Sequence, residues 1–227
     1  MNPCRRPILS MPSQPHINSV PVPAILLAAG ASTRLGQPKQ LLRLSAFGGE
    51  TLIDHAVELA RAAGAAPIFV ILGAHAEEIH RECEMLDCIL VRNEAWHQGM
   101  ASSLRLGISA VLENAPASSG VMILVCDQPG LSAEHLRRLL DAHAADASSI
   151  AASRYAGRTG VPTIFPRALF PALLELQGDQ GARTMLQQPG AAIHPVDFPE
   201  GELDLDSPED LQRLQADSMS RPSAKLN

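Results

Sequence analysis

Three charged side chains are placed where they could do chemistry. Arg34 and Lys39 lie in the stretch LLAAGASTRLGQPKQLL (residues 26–42), and Asp127 follows the apolar run VMILVC. Lysine is rare in this chain: only Lys39 and Lys225 occur among 227 residues, and all other permanent cations are arginines. A compact ammonium among small residues suits an anion that comes close to the backbone. Ala28, Ala29, Gly30 and Ala31 leave room for that approach, and exposed N–H groups in a turn after a strand suit phosphate oxygens. Two common phosphate loops do not fit. In GxxxxGK[ST] four residues separate the glycines and the lysine follows the second. Here five residues separate Gly30 from Gly36, and Lys39 is not adjacent to Gly36. The GxGxxG fingerprint is absent as well.

Elements must hold these residues in place. PAILLAA (23–29) is an apolar run without polar alternation, as expected of a strand buried on both faces. Thr51, three residues before Asp54, caps a helix through TLIDHAVELARAA, whose Leu52, Ile53, Ala56, Val57 and Ala60 follow helical spacing. APIFVIL is the next strand, ended by Gly73. AEEIHREC, MASSLRLGISAVLE and SAEHLRRLLDAHAA read as helices, CILVRN and GVMILVC as strands. Later come SIAASRY and GVPTIFP, helices around RALFPALLEL and GARTMLQQ, a strand at AIHPVDF and a closing helix at SPEDLQRLQ. That last helix has Ser207 as N-cap, Pro208 at its first position and Asp210 completing a capping box. Alternating strands and helices predict an α/β fold with a mostly parallel sheet and helices on both faces. Ligands of such sheets bind at the carboxyl ends of strands, which is where the 28–36 loop should lie. We find no internal repeat and no interdomain linker. The expected organisation is a tail over 1–21, one domain over 22–215 and a second tail over 216–227.

Composition narrows the partners. Hydrophobic residues make up 46% and aromatics only 3% of the chain, so the core is aliphatic. The net charge of −6 and the scattered arginines argue against a nucleic-acid surface. Cys4, Cys83, Cys88 and Cys126 form no CxxC pair, so they read as reduced thiols of a cytoplasmic protein, with Cys126 a small buried filler. No apolar run is long enough to span a membrane, and the first 23 residues lack the apolar segment of a secretory signal.

The stretch LAAGASTRLGQPKQLL resembles the nucleotide-binding signature LAAG-x-S-x-R-M-G-x-x-K of sugar-nucleotide-type nucleotidyltransferases, with Leu35 at the usual methionine. Within that superfamily the chain is most similar to molybdenum cofactor cytidylyltransferases. NEAWHQGMASSLRLGI resembles their N-x-x-W-x-x-G-M-x-x-S-L segment, VCDQPGLS their CDQP strand end, and DLDSPEDL their D-I-D-T-P-E-D-L. GVPTIFP and GDQGARTML are similar to their later signatures. The resemblance covers about residues 22–215 and implies a three-layer Rossmann-like nucleotidyltransferase fold.

The implied reaction is attack by the terminal phosphate of molybdenum cofactor on the α-phosphate of CTP, with pyrophosphate leaving. Positioning and electrostatics carry such chemistry. The resemblance places Leu27, Ala28, Ala29, Gly30, Ser32, Arg34, Gly36, Lys39 and Ser103 around the nucleotide. It makes Arg34, Lys39 and Asp127 the catalytic set, with Arg34 on the leaving pyrophosphate and Lys39 on α-phosphate oxygens. Mg2+ is the expected cofactor, held by Asp127, with Asp204 or Asp179 as candidates for the second ligand. Asp204 and Asp206 share a side if that piece is extended. Asp179 and Arg183 fall on the acceptor side. Asn93 and Trp96 border the pocket, and Trp96, as the sole tryptophan, is assigned to packing rather than to ligand contact.

The expected partners are therefore CTP and molybdenum cofactor, with docking to a molybdenum hydroxylase or its maturation factor also implied. The alternatives are a GTP-dependent guanylyltransferase, another small phospho-acceptor cytidylyltransferase, and a non-catalytic partner that binds nucleotide or cofactor. Ala29, where guanylyltransferases carry glycine, favours a pyrimidine. Met100, where methylerythritol phosphate cytidylyltransferases carry an arginine, argues against those enzymes.

Overall fold

In the computed structural model the described residues are 20–82, 87–188 and 190–220, the last six as backbone only. Cys4, Cys83 and most of the stretches expected as tails lie outside them. Seven strands form one sheet: β1 (Ala24–Ala28), β2 (Ile68–Leu72), β3 (Ile89–Arg92), β4 (Gly120–Val125), β5 (Ile150–Tyr155), β6 (Arg158–Pro166) and β7 (Ile193–Asp197). Their order is β3-β2-β1-β4-β6-β5-β7. β1 pairs in parallel with β2 and β4, β2 with β3, and β5 with β7. β6 runs antiparallel between β4 and β5. The reason is local: β6 returns from β5 through a two-residue turn, too short for a crossover, so the two must be antiparallel neighbours.

The helices are α1 (Leu52–Ala63), α2 (Ala76–Glu82), α3 (Met100–Asn114), α4 (Ala133–Ala145), α5 (Phe170–Leu174), α6 (Ala182–Leu186) and α7 (Pro208–Ser220). Alternate strand residues face opposite layers. Ala24, Leu26 and Ala28 of β1 join Val70 and Leu124 beneath α1 and α4, while Ile25 joins Phe69, Ile71 and Ile123 beneath α3 and α5. Both faces are covered, which is why the strands read as unbroken apolar runs. Gly107 lets α3 approach the sheet: a Cβ there would lie 2.8 Å from Cγ2 of Ile25.

Side chains fix where the helices begin. The Asp54 amide donates to the Thr51 hydroxyl at 3.1 Å, and the His135 amide to the Ser132 hydroxyl at 3.2 Å. Ser207 and Asp210 form the reciprocal box, at 2.9 and 3.3 Å. α7 continues to Ser220, past residue 215 where the domain was expected to end. No proline or glycine interrupts the sequence until Pro222. Cys126 is buried in the core.

One polar group is held deep in the α4 layer. His135 is buried, stacked on Phe198 at 4.3 Å, with Nε2 2.7 Å from the Ser153 hydroxyl. That hydroxyl donates to the Pro162 carbonyl at 2.6 Å, so the imidazole must supply the proton between them. Its Nδ1 then accepts from Arg138 at 3.1 Å. Burial, then the charge of Arg138, push the His135 pKa down to about 4, against a partial opposing pull from Glu200. The folded protein thus refuses a proton that the unfolded chain takes near pH 6.5. The His135 contribution to stability is complete above pH 6.5 and is lost as pH falls toward 4, by on the order of 3 kcal/mol. Denaturant unfolding at pH 7, 5.5 and 4 should show this decline, and His135→Gln should flatten it.

Candidate active site

The site starts where β1 ends. After Ala28 the chain turns through Ala29, Gly30 and Ala31, and three anchors hold that turn. The Gln40 amide donates to the carbonyls of Ala28 at 2.9 Å and Gly30 at 3.0 Å. The Ala74 amide donates to the Ala29 carbonyl at 3.2 Å, and His75 Nε2 lies 3.1 Å from the Ala31 carbonyl. Gly73 makes the second anchor possible, since a Cβ there would sit 2.5 Å from the Ala29 oxygen. Ser32 adopts φ +51, its carbonyl accepts from the amides of Leu35 and Gly36, and its hydroxyl accepts from the Lys39 amide at 3.1 Å. Gly36, at φ +74, completes this coil. The result is a short 3-10 turn, Lys39–Leu41, that aims Lys39 back across the end of β1.

Lys39 meets two carboxylates there. Its Nζ donates to Asp127 Oδ2 at 2.5 Å and to Asp206 Oδ1 at 2.7 Å. Arg34 donates to the other oxygen of Asp206 at 2.9 Å. Asp127 lies two residues beyond the end of β4. Its carbonyl accepts from the Leu205 amide at 2.8 Å, and this backbone bond pins the 203–206 segment so that Asp206 reaches Lys39. Burial alone would lower the Lys39 pKa, but the charges and hydrogen bonds of Asp127 and Asp206 outweigh it and hold the ammonium above the ordinary lysine value. The hydrogen bond from Lys39, more than its charge, holds Asp206 below the usual carboxylate range. Asp204 goes the other way: burial, then the charge of Asp127, raise its pKa.

Beside this cluster is a cavity of about 330 Å3, with Leu27, Gly30, Lys39, Trp96, Ser103 and Asp127 in its wall. Ser103 is buried and accepts from Asn93 Nδ2 at 2.9 Å; the same Nδ2 reaches the Ser102 hydroxyl at 2.8 Å. Asn93 Oδ1 accepts from the Ala95 amide, so one buried amide side chain ties the end of β3 to the start of α3. Gly99 seats that segment against the 177–181 loop. Its φ is +97, a Cβ would lie 2.4 Å from the Gly178 carbonyl oxygen, and the Ala101 amide donates to that oxygen at 3.0 Å. A second cavity of about 420 Å3 shares Leu27, Met100, Val125 and Asp179 with the first and has Arg183 and Asp204 in its wall.

Of the residues singled out in the sequence, Leu27, Ala29, Gly30, Lys39, Ser103 and Asp127 line the first cavity, and Asp179 borders both. Ala28, Ser32 and Gly36 shape the loop beneath it, and Arg34 stands exposed above Asp206. Trp96 is 37% exposed and forms part of the cavity wall, where it was expected to border the pocket. The contact between Lys39 and Asp206, and the part played by Gln40, escaped the sequence reading. A polar side chain directly before Leu41 and Leu42 is the only hint of Gln40, which is 1% exposed.

The donor set suits a hard divalent cation. Asp127 and Asp206 present carboxylate oxygens to one point, now spanned by a single ammonium. Among the described residues no group of three or more His, Cys, Asp or Glu side chains forms a full cage. An ion that keeps most of its water and takes one or two carboxylates fits that arrangement.

Comparison with known proteins gives the family and agrees with the fold. Residues 24–193 match the MobA-like NTP transferase domain. The chain is 34% identical over 203 residues to nicotine blue oxidoreductase of Paenarthrobacter nicotinovorans, spanning 85% of this chain and 96% of that one. It is 30% identical over 205 residues to purine catabolism protein PucB of Bacillus subtilis, spanning 84% and 94%. Rv0371c of Mycobacterium tuberculosis shares the fold with a TM-score of 0.72 and 29% identity over 87% of this chain and 99% of its own. Rv0371c has also been crystallised in complex with manganese. A match from the first strand to the last places this chain in the family of MobA-like NTP transferase domains.

Proposed function

We propose that this protein transfers CMP from CTP to the terminal phosphate of molybdenum cofactor and releases pyrophosphate. The observation that carries the reading is Lys39, locked between Asp127 and Asp206 at the mouth of a backbone-lined turn. An ammonium has three donors. Two are engaged, which leaves one for an α-phosphate oxygen, and its raised pKa keeps it charged at any working pH. The triphosphate lies along the turn after β1, where Gly30 allows close approach, and exposed Arg34 neutralises the leaving pyrophosphate. The acceptor phosphate oxygen forms the new bond to the α-phosphorus as the bond to the bridging oxygen of pyrophosphate breaks. Asp127 and Asp206 would hold Mg2+, which when bound spreads charge from the phosphate oxygens.

Ser103 and Ala29 border the space for the base. Ala29 favours a pyrimidine, because its methyl occupies room that a glycine would leave to a purine. The acceptor enters from the larger cavity, beside Asp179 and Arg183. The relatives PucB and Rv0371c fit this reading without fixing the base or the acceptor. A second reading comes from the relative named an oxidoreductase: reduction of a dye in the same crevice. Such a reaction would not need Lys39 and two carboxylates in contact.

Pyrophosphate release should occur with CTP and Mg2+ only when molybdenum cofactor is present, with GTP and ATP far slower. GTP-dependent release would overturn the assignment of the base. Reductant consumption by a dye, with no pyrophosphate from any nucleotide, would favour the second reading. Asp127→Asn should abolish turnover, and Lys39→Ala should lower kcat by about a hundredfold or more while the circular dichroism stays native. Removing the ammonium also leaves Asp127 and Asp206 facing each other, at a cost of about 1–3 kcal/mol. Millimolar Mg2+ or Mn2+ should therefore raise the Tm of Lys39→Ala more than that of the wild type.

A further inference from the structure

The larger cavity has a wall that nucleotide chemistry does not explain: the hairpin between β5 and β6. Tyr155 and Arg158 are cross-strand partners on either side of Ala156 and Gly157. Both turn residues have positive φ, +46 and +71, the signature of a type I′ turn. An alanine in that region is disfavoured, so the tight turn is held against a local preference. It sets Arg158 beside the Tyr155 ring, with the guanidinium carbon 5.4 Å from the ring centroid.

Tyr155 cannot move far. It is buried and stands edge-on to Phe198 at 6.0 Å. Gly160 lies so close that a Cβ there would be 2.3 Å from the Tyr155 oxygen. A rigid ring thus carries an exposed guanidinium at the cavity wall, a geometry suited to cation–π stacking. Arg183 lines the same cavity from α6.

Neither arginine makes an ion pair among the described residues, although Asp179 and Asp204 share the cavity. With no carboxylate in direct contact among the described residues, both guanidiniums keep N–H donors for an anion from outside. Between them the cavity offers apolar Leu27, Val125 and Val161.

We propose that Arg158, stacked on Tyr155, is a specificity-determining residue that with Arg183 grips the phosphate monoester of the acceptor, while the apolar surface takes a flat, uncharged body. This rests on the reading that the larger cavity receives the acceptor. Arg158 binds and orients, whereas Lys39 and Asp127 serve the transfer itself.

The test is titration calorimetry of the full-length protein with phenyl phosphate, and with phenol as the uncharged control, alongside steady-state kinetics. The wild type should bind phenyl phosphate more tightly than phenol. Arg158→Ala should weaken phenyl phosphate about tenfold to a hundredfold and leave phenol unchanged. Arg158→Lys should recover part of the loss, because a point charge replaces a planar fork. In turnover, Arg158→Ala should raise the KM for the acceptor by a similar factor while the KM for CTP and kcat stay close to wild type. Equal phenyl phosphate affinity in wild type and Arg158→Ala, or no preference of the wild type over phenol, overturns the inference. Phosphate binding that depends on Arg158, in a protein that releases no pyrophosphate, would leave the inference standing and overturn nucleotidyl transfer instead.

Discussion

A single ammonium group holds three distant pieces of this chain together. Lys39 comes from the turn after β1, Asp127 from the end of β4 and Asp206 from the segment before α7. Without the cation two carboxylates would face each other at the edge of a low-dielectric crevice, which is unfavourable. With it, the contact is short and well aligned. The rest of the site follows from making this meeting possible: Gln40 and Ser32 coil the loop so that Lys39 points back, and the Leu205 amide pins Asp206 to the strand end. The same feature that stabilises the ligand-free protein is a store of charge for polyanion chemistry, because phosphate oxygens and a divalent cation can take over the partners that Lys39 and the carboxylates now give one another.

The sheet puts this cluster where open α/β sheets bind ligands. β1 and β4 are adjacent and parallel, but the chain leaves β1 toward β2 and β3 on one side and places β4 on the other. The crevice opens between their carboxyl ends, and Leu27 and Val125, one from each strand, lie in the walls of both cavities. The two cavities therefore share a floor. The docking of Gly99 on Gly178 links the segment after β3 to the loop before α6. A change in either loop would be felt in both halves of the site.

Much of the fold was legible because burial on both faces leaves no ambiguity: AILLA, IFVIL and GVMILV have no polar residue to place. Helix starts were legible where a short polar side chain can reach an amide, at Thr51 and Ser207. The lysine and Asp127 were legible from their rarity and position. What could not be read depends on distance in space. Periodicity puts Asp204 and Asp206 on one side of an extended piece, yet the Leu205 hydrogen bond decides that Asp206 meets Lys39 while Asp204 turns into the neighbouring cavity. Gln40 is a polar side chain drawn inward by two backbone carbonyls, and no spacing in the sequence announces it.

The contact between Lys39 and Asp206 spans 167 residues of sequence. A ribosome therefore finishes the loop, the first four strands and the hairpin well before it delivers the last carboxylate. Until residue 206 emerges, a nascent chain can hold all seven strand segments and the turn after β1 without a complete charge cluster. Assembly of the charge cluster is thereby deferred until residue 206 has been made, and a product truncated before that point would leave Lys39 with Asp127 as its one carboxylate of the pair.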